Sequence, residues 1–571
     1  MRIDDLHTQQ RIDSVPLMNV HLNPRSRDET VKLIRGLQGV YADVTVRQQV
    51  LDLIAQDVLQ GARRDIGRPG MDLWSIFVLL AAREALRLDY DRLEDLAEHH
   101  TLIRAAMGLG DWQAEYHFDW TRIWRNVRKV RSETLVEISR RVVQLGHTLA
   151  PTAAESARVD SFVMQTNIHH PSDVRQVADG LRLVLRHAVR LAEAIGSTAL
   201  RQHVHLEKRA RALVLIASRA SASKHRDRDQ RLTVAAHELC TFADERCQQA
   251  LDLGDQFMTM RVSLDCVTQT RADGEHETMM LFVSGLATCA HVVRLRCVEG
   301  ETVEQTDRLF SLFEPHTELI YRGKVRAAFE FGHRVLVTED AAGFISAQVM
   351  PNGQQDRDAA VPLVESLRLQ HPNLKRVSFD RGFHSPANRT ALAEILPDAC
   401  LPNSGDKALA KQIASASVSW TWQRRHHSGI EAAIGNLQDN RGCRRCPDKG
   451  KDGYDRFLQT AVLAHSRAAG RTGRRGAPRS RLGRGLVEAG LPASRGDDPS
   501  TGQRPSIAQP VRSGGVEPRP HRAIVRIPLP HRDLRTGAEA SVRLLRAAVP
   551  TRRRTGRPRR PEGRPCDGSA P

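Results

Sequence analysis

Aromatic residues make up only 4% of the 571 residues, and the nine cysteines are odd in number and irregularly spaced. A disulfide-stapled secreted scaffold is thereby excluded, and a reduced, cytosolic protein is the expectation. No secretory signal opens the sequence, and no apolar run reaches the ~18 residues that a membrane span requires. No GxxxxGK[ST] loop occurs, so ATP hydrolysis is not indicated. Lysine is missing from residues 466–571, where 24 Arg stand against 8 acids. That tail supplies most of the formal charge of +18, leaving 61 basic and 59 acidic side chains in the first 465 residues. A DNA-binding surface in the body must therefore be a local patch, not a general excess.

The tail also holds 14 Gly and 14 Pro in 106 residues, without sustained periodicity, which is a disorder-like composition. Two origins fit it: a basic nucleic-acid-binding extension, or out-of-frame translation of a GC-rich gene. The second is favoured, because the break falls inside the apolar helix start RFLQTAVLAH.

What is present is enough sequence for several domains. Residues 1–70 read as a polar helical or linker segment with one helix near Val46–Leu59. Pro69-Gly70 punctuates, and residues 71–150 follow as a helical block containing WSIFVLLAAREALRL, LEDLAEHHTLIRAAMGL and TRIWRNVRKVRSETLVEISRRVVQLG. The last of these carries Arg and Lys along one face. Short helices with a basic member suit a helix-turn-helix-like DNA-binding domain, although a bundle with a solvated charged face has the same periodicity.

Around Asp160 the pattern becomes a short strand, and residues 174–305 then read as a large helical insertion. Strand-like sequence resumes in FEFGHRVLVTED and GFISAQVMPNG, followed by AAVPLVESLRLQH (helix), KRVSFD (strand), PANRTALAEILP (helix) and ACLP (strand). Alternating elements of this kind predict an α/β sheet layer over residues 151–465.

Three acids stand out in that layer. Asp160 (ARVD) and Asp380 (VSFD) each end a β-prone run, and Asp160 is expected where a central strand leaves the core. Glu431 lies on a predicted helix at the edge of the apolar face made by Ile430, Ile434 and Leu437. Two divalent ions roughly 3.5–4 Å apart, held by carboxylates on rigid elements, are what a two-metal phosphoryl-transfer site requires. Singly, each acid is unremarkable as a strand end, cap or exposed helical residue. Arg381-Gly382 follows Asp380, and the glycine is expected to permit a tight turn close to a phosphate backbone. Arg424, Arg425, His426 and His427 precede Glu431 and form a cluster suited to phosphates. His384 and Arg389 are further candidates for DNA contact, although Ser385-Pro386 reads as the start of a helix. A zinc reading of Cys443-x-x-Cys446 or of His169-His170 near Asp173 lacks a second ligand pair.

Taken together, LFSLFEPHTELIYRGK, EFGHRVLVTEDAAGFI, SFDRGFHSPANR, RRHHSGIEAAIGNLQ and CPDKGKDGYDRF resemble the conserved blocks of bacterial insertion-sequence DDE transposases of the ISNCY type. PGMDLWSIFVLLAAREALRLDYDRLEDLAEHH resembles their helical N-terminal domain, and the likeness covers residues 30–465. It implies an RNase H-like mixed sheet with a helical insertion, two Mg²⁺ (or Mn²⁺) ions, and cut-and-join chemistry on terminal inverted repeats. Asp160, Asp380 and Glu431 would be the catalytic, metal-holding triad, with Arg381, His384, Arg424, Arg425 and His427 toward DNA. The implied partners are double-stranded terminal repeats and target DNA, bound by a homodimer or larger assembly in the bacterial cytoplasm at the nucleoid, with no membrane partner. The chain departs from the family pattern at Gln165, where Glu is common, and after the RF-x-x-x-A-VLA block. The alternative expectation is a catalytically inactive DNA-binding remnant or repressor of the element.

Overall fold

The computed structural model describes residues 3–8, 14–63, 70–110, 117–321 and 329–469. Seven helices come first: α1 (Glu29–Ala42), α2 (Val44–Leu59), α3 (Leu73–Ala85), α4 (Tyr90–His99), α5 (Thr101–Ala106), α6 (Trp120–Val127) and α7 (Ser132–Leu149). Asp28, Asp43, Asp72, Asp89 and Asp119 each cap a helix by accepting a backbone N–H of its first turn. All seven helices share one buried cluster running from Leu17 to Val142, so α1 and α2 belong to the same core as the later helices. α3 is buried along its whole length and forms the centre of that core.

The basic stretch expected as one helix is instead broken between α6 and α7. The buried carboxylate of Asp57 on α2 accepts both the Arg131 backbone N–H at 2.9 Å and its Nε–H at 2.6 Å. That tertiary partner stabilises a non-helical residue at Arg131, which local periodicity does not register.

Six strands form one mixed sheet: β1 (Ser156–Gln165), β2 (Glu318–Tyr321), β3 (Phe329–Asp340), β4 (Ile345–Val349), β5 (Arg376–Phe379) and β6 (Ala399–Cys400). β1 is central, antiparallel to β3 on one side and parallel to β5 on the other. β6 extends the parallel side; β2 and β4 pair with successive parts of β3. Side chains alternate between two covered faces. Val159, Val377 and Phe379 face a cluster with α12 (Asp356–Gln370) and α13 (Pro386–Ile395). Phe162, Met164 and Val337 face the opposite cluster, with α16 (Gly429–Gly435) and α17 (Lys451–Ala469). A fold of mixed α/β class with layers on both sides of the sheet results. α14 (Asp406–Ala414) and α15 (Val418–His427) lie between β6 and α16 in the chain.

Between β1 and β2 run α8 (Asp173–Ala194), α9 (His203–Ala222), α10 (Arg228–Met260) and α11 (Cys266–Val293), continued by a π-helical turn to Glu299. They build their own core from residues such as Leu181, Leu239, Phe257 and Val283. Where the sequence reading expects no apolar run of membrane-spanning length, one helix among the described residues, Cys266–Glu299, is long and apolar enough to cross a membrane. Its apolar residues, among them Met279, Phe282 and Leu286, pack into this helical core.

α17 links the layers. Phe457, Leu458, Ala461 and Val462 pack beneath the sheet, while Leu463 and Ala464 enter the N-terminal helical core. The helix expected to break at about His465 continues to Ala469. The Arg/Gly/Pro-rich tail lies, from residue 470, outside the described residues.

Candidate active site

Asp160 sits in the middle of β1, not at its end, because Phe162, Val163 and Met164 continue the strand into buried positions. β1 and β5 are in parallel register with Val159 opposite Phe379, so the next residues on the two chains are Asp160 and Asp380. Asp380 keeps an extended backbone (φ −75°, ψ 166°) as it leaves β5. Val159 and Phe379 point into the α12–α13 cluster, so alternation turns both acids toward the opposite face, where α15 and α16 lie. The Ser161 N–H donates to Asp160 Oδ1 at 2.7 Å.

Glu431 projects from α16, whose Ile430, Ala433 and Ile434 bury the helix against the sheet. Asp380 and Glu431, both exposed, line one cleft of about 380 Å³ together with Arg424, Arg425, His427, Ser428, Trp420 and Pro402. Neither carboxylate takes part in an ion pair among the described residues.

The basic wall is built by α15, which runs across three adjacent strands. Buried Gln423 donates to the Asp398 carbonyl at 2.9 Å, just before β6. His427 Nδ1 meets Ser378 Oγ of β5 at 3.1 Å, and the His426 carbonyl accepts from Arg158 Nη1 of β1 at 3.1 Å. The helix is thus strapped in turn to β6, β5 and β1.

Burial lowers the His427 pKa below its ordinary value; Arg158 and Arg424 push the same way, and the nearby Asp380 carboxylate opposes them. The ring, expected as a phosphate contact, lies against β5 through Ser378. Arg424, with its guanidinium 5.9 Å from the Trp420 ring, and exposed Arg425 carry the positive charge of the cleft. Arg381 and His384 do not line it. Arg381 pairs with Asp406 at 2.9 Å, and His384 is half-buried with its Nε2 lacking a hydrogen-bond partner. Gly382 lies in a 3-10 turn (Arg381–Phe383) with no positive φ, so the turn does not need glycine's freedom.

Cys443 and Cys446 are buried against the sheet, and burial pushes both thiols up. Their segment adds to the end of β1: Gln165 N–H donates to the Arg444 carbonyl, and the Gln165 carbonyl accepts from Cys446 N–H at 2.8 Å. Among the described residues no three His, Cys, Asp or Glu side chains are grouped to share a metal ion. Asp380 and Glu431, which share the cleft, are carboxylates and suit hard divalent ions, while Asp160 does not line it. Mg²⁺ is characteristically held by one or two protein carboxylates plus substrate phosphates, so an incomplete protein cage fits that ion.

Sequence reasoning missed Arg158, Trp420 and Gln423. The signal for Arg158 was its two-residue spacing from Asp160 on one strand, which puts both on the same face. A second cavity of about 170 Å³ lies between α7, β4 and α12, lined by His147, Asp340 and His371, away from these acids. Comparison with family models, curated proteins and solved structures finds no match to this chain.

Proposed function

We propose that this protein is a DDE-type DNA transposase that cleaves and joins DNA at the inverted-repeat ends of an insertion sequence, with Asp160, Asp380 and Glu431 holding two divalent ions. The observation that carries the reading is the parallel register of Asp160 and Asp380, on the face of the sheet where Glu431 and two unneutralised arginines share a cleft with Asp380. The mixed sheet, with β1, β5 and β6 parallel and β3 and β4 antiparallel, is compatible with the RNase H-like core that the sequence resemblance implies. When bound, Mg²⁺ or Mn²⁺ supplies charge stabilisation at the attacking and leaving oxygens of an in-line displacement at phosphorus. The chain's own residues position: the carboxylates hold the ions, Arg424 and Arg425 hold flanking phosphates, and α15 keeps those arginines over the strand ends. The nucleophile is water for donor cleavage and then the freed 3′-hydroxyl for joining, so no covalent protein–DNA intermediate forms.

The test uses the full chain and a DNA fragment spanning the element's own terminus. Asp160→Ala, Asp380→Ala and Glu431→Ala are each expected to abolish Mg²⁺-dependent cleavage while end binding in a gel shift persists. Mg²⁺-dependent cutting by Asp380→Ala would sink the assignment. End binding by the wild type, with no cut in Mg²⁺ or Mn²⁺, would favour the non-catalytic repressor.

A further inference from the structure

We propose that Arg158 and Gly429 form a lock that sets Glu431 in register with Asp160 and Asp380, which makes Arg158 a positioning residue of the site. The inference rests on the functional reading above and adds to it the device that brings a helix-borne ligand to two strand-borne ones. Glu431 is the least constrained acid of the three. Its helix α16 has only seven residues, Gly429–Gly435, and a helix so short has little stability of its own. Buried Ile430, Ala433 and Ile434 hold the helix to the sheet, and the contacts of its first turn set where Glu431 stands along it.

Two features grip that turn. Arg158 precedes Asp160 by two residues on β1 and shares its face, so its guanidinium reaches the junction of α15 and α16. There Nη1 donates to the His426 carbonyl at 3.1 Å, one of the orphan acceptors that end α15. A guanidinium also complements the partial negative charge of a helix C-terminus. The second feature is steric. A Cβ built on Gly429 would lie 1.8 Å from Arg158 Nη1 and 2.9 Å from Cζ. A side chain at this place would have to displace the guanidinium, and Gly429 is the first residue of the helix that carries Glu431 two positions later.

A second contact holds the guanidinium from the other side. Arg158 stands directly opposite Glu339 in the β1–β3 ladder, and its Nη2 lies 2.9 Å from Glu339 Oε2. Glu339 is buried, and burial raises its pKa to about 7 while Arg158 opposes the rise. The fork is therefore held from β3 and offered to the α15–α16 turn, a use of two donor directions that lysine cannot copy. Ser428, between the helices, keeps helical angles (φ −56°, ψ −16°), and its carbonyl accepts from Glu431 N–H at 3.2 Å. Displacement at Arg158 is thus passed to Glu431 through three residues of helical backbone.

A purely structural arginine would change stability alone, so the measurement is metal affinity of the full-length protein. Mn²⁺ binding would be titrated by electron paramagnetic resonance, beside melting temperature and end-fragment cleavage. Arg158→Gln and Gly429→Ala are expected to weaken Mn²⁺ binding by about tenfold or more, the scale on which residues that orient metal ligands act. Arg158→Lys is expected to fall between them and the wild type. Glu339→Gln removes the grip from β3 but leaves the His426 contact, and is expected to weaken Mn²⁺ binding less than Arg158→Gln does. If Arg158→Gln should fail to fold, Gly429→Ala perturbs the same lock without leaving a charge unpaired. Wild-type Mn²⁺ affinity in a folded Gly429→Ala or Arg158→Gln protein overturns this inference alone. Absence of Mn²⁺ binding in the wild type, or undiminished binding in Asp380→Ala, overturns the functional reading and this inference with it.

Discussion

Individual side chains in the cleft divide by what they touch. Burial holds His427 below its ordinary pKa and Ser378 ties it to β5, whereas Arg424 and Arg425 line the cleft. Arg424→Gln and Arg425→Gln are therefore expected to weaken DNA binding uniformly across sequences. Each should lower the slope of log affinity against log salt by about 1, as loss of one phosphate contact predicts; a change confined to one sequence would contradict the phosphate role. His465 makes a different test. Burial and the nearby Arg441 push its pKa down to about 4, and its Nδ1 lies 3.1 Å from Asn436 Oδ1. Below an unfolded value of ~6.5 the unfolded chain takes up a proton that the folded chain refuses. The stability at issue is thus fully present above pH 6.5 and lost as pH falls toward 4, amounting to about 2 kcal/mol by pH 5. His465→Asn should make the fall in melting temperature from pH 7 to pH 5 shallower than in the wild type.

Among the elements, α17 and the β2–β3 pair are joined by an unusual polar chain. Glu314 Oε2 meets His316 Nε2 at 3.0 Å, His316 Nδ1 meets His333 Nε2 at 2.7 Å, and His333 Nδ1 meets Glu318 Oε1 at 2.5 Å. Glu314 also accepts from Gly450 N–H at 2.9 Å, just before α17 begins. His316→Leu removes two of the three contacts and strands buried Glu314, which is expected to cost about 1–3 kcal/mol in urea unfolding. The apolar side of α17 weighs more heavily. Leu458 is fully buried beneath the sheet, and Leu458→Ala is expected to cost about 2–5 kcal/mol.

Across the whole molecule, α17 and the segment before it tie the N-terminal helices to the sheet. Buried Arg83 of α3 reaches Asp448 at 2.5 Å and 3.1 Å, Arg441 donates to the Ala85 carbonyl at 2.6 Å, and Arg456 donates to the Arg128 carbonyl at 2.9 Å. Arg83 also lies 3.1 Å from buried Glu84, whose pKa burial raises to about 7. Arg83→Met would leave these acids without their cation and is expected to cost about 3–5 kcal/mol. The double variant Arg83→Met/Asp448→Leu should recover part of that loss, which a double-mutant cycle measures directly. Additive costs would show that the pair does not couple the two layers.

Much of the fold was legible in local pattern. The strand expected in KRVSFD is β5, the pair FEFGHRVLVTED and GFISAQVMPNG is β3 and β4, and the helices expected over 174–305 run from Asp173 to Glu299. Short β2, only four residues with an exposed end, gave no such signal, and the break between α6 and α7 depends on Asp57, 74 residues away. At the site, sequence by itself determined the chemistry: which carboxylates end or follow apolar runs, and which arginines stand beside them, since residue type and periodicity are local properties. Tertiary structure alone decided their use. Strand register placed Asp160 beside Asp380, burial lowered the His427 pKa, an ion pair drew Arg381 away, and the fit of Arg158 against Gly429 sets where Glu431 stands. Those outcomes depend on contacts between segments up to 271 residues apart, as Arg158 and Gly429 are, and no local pattern encodes the distance between them.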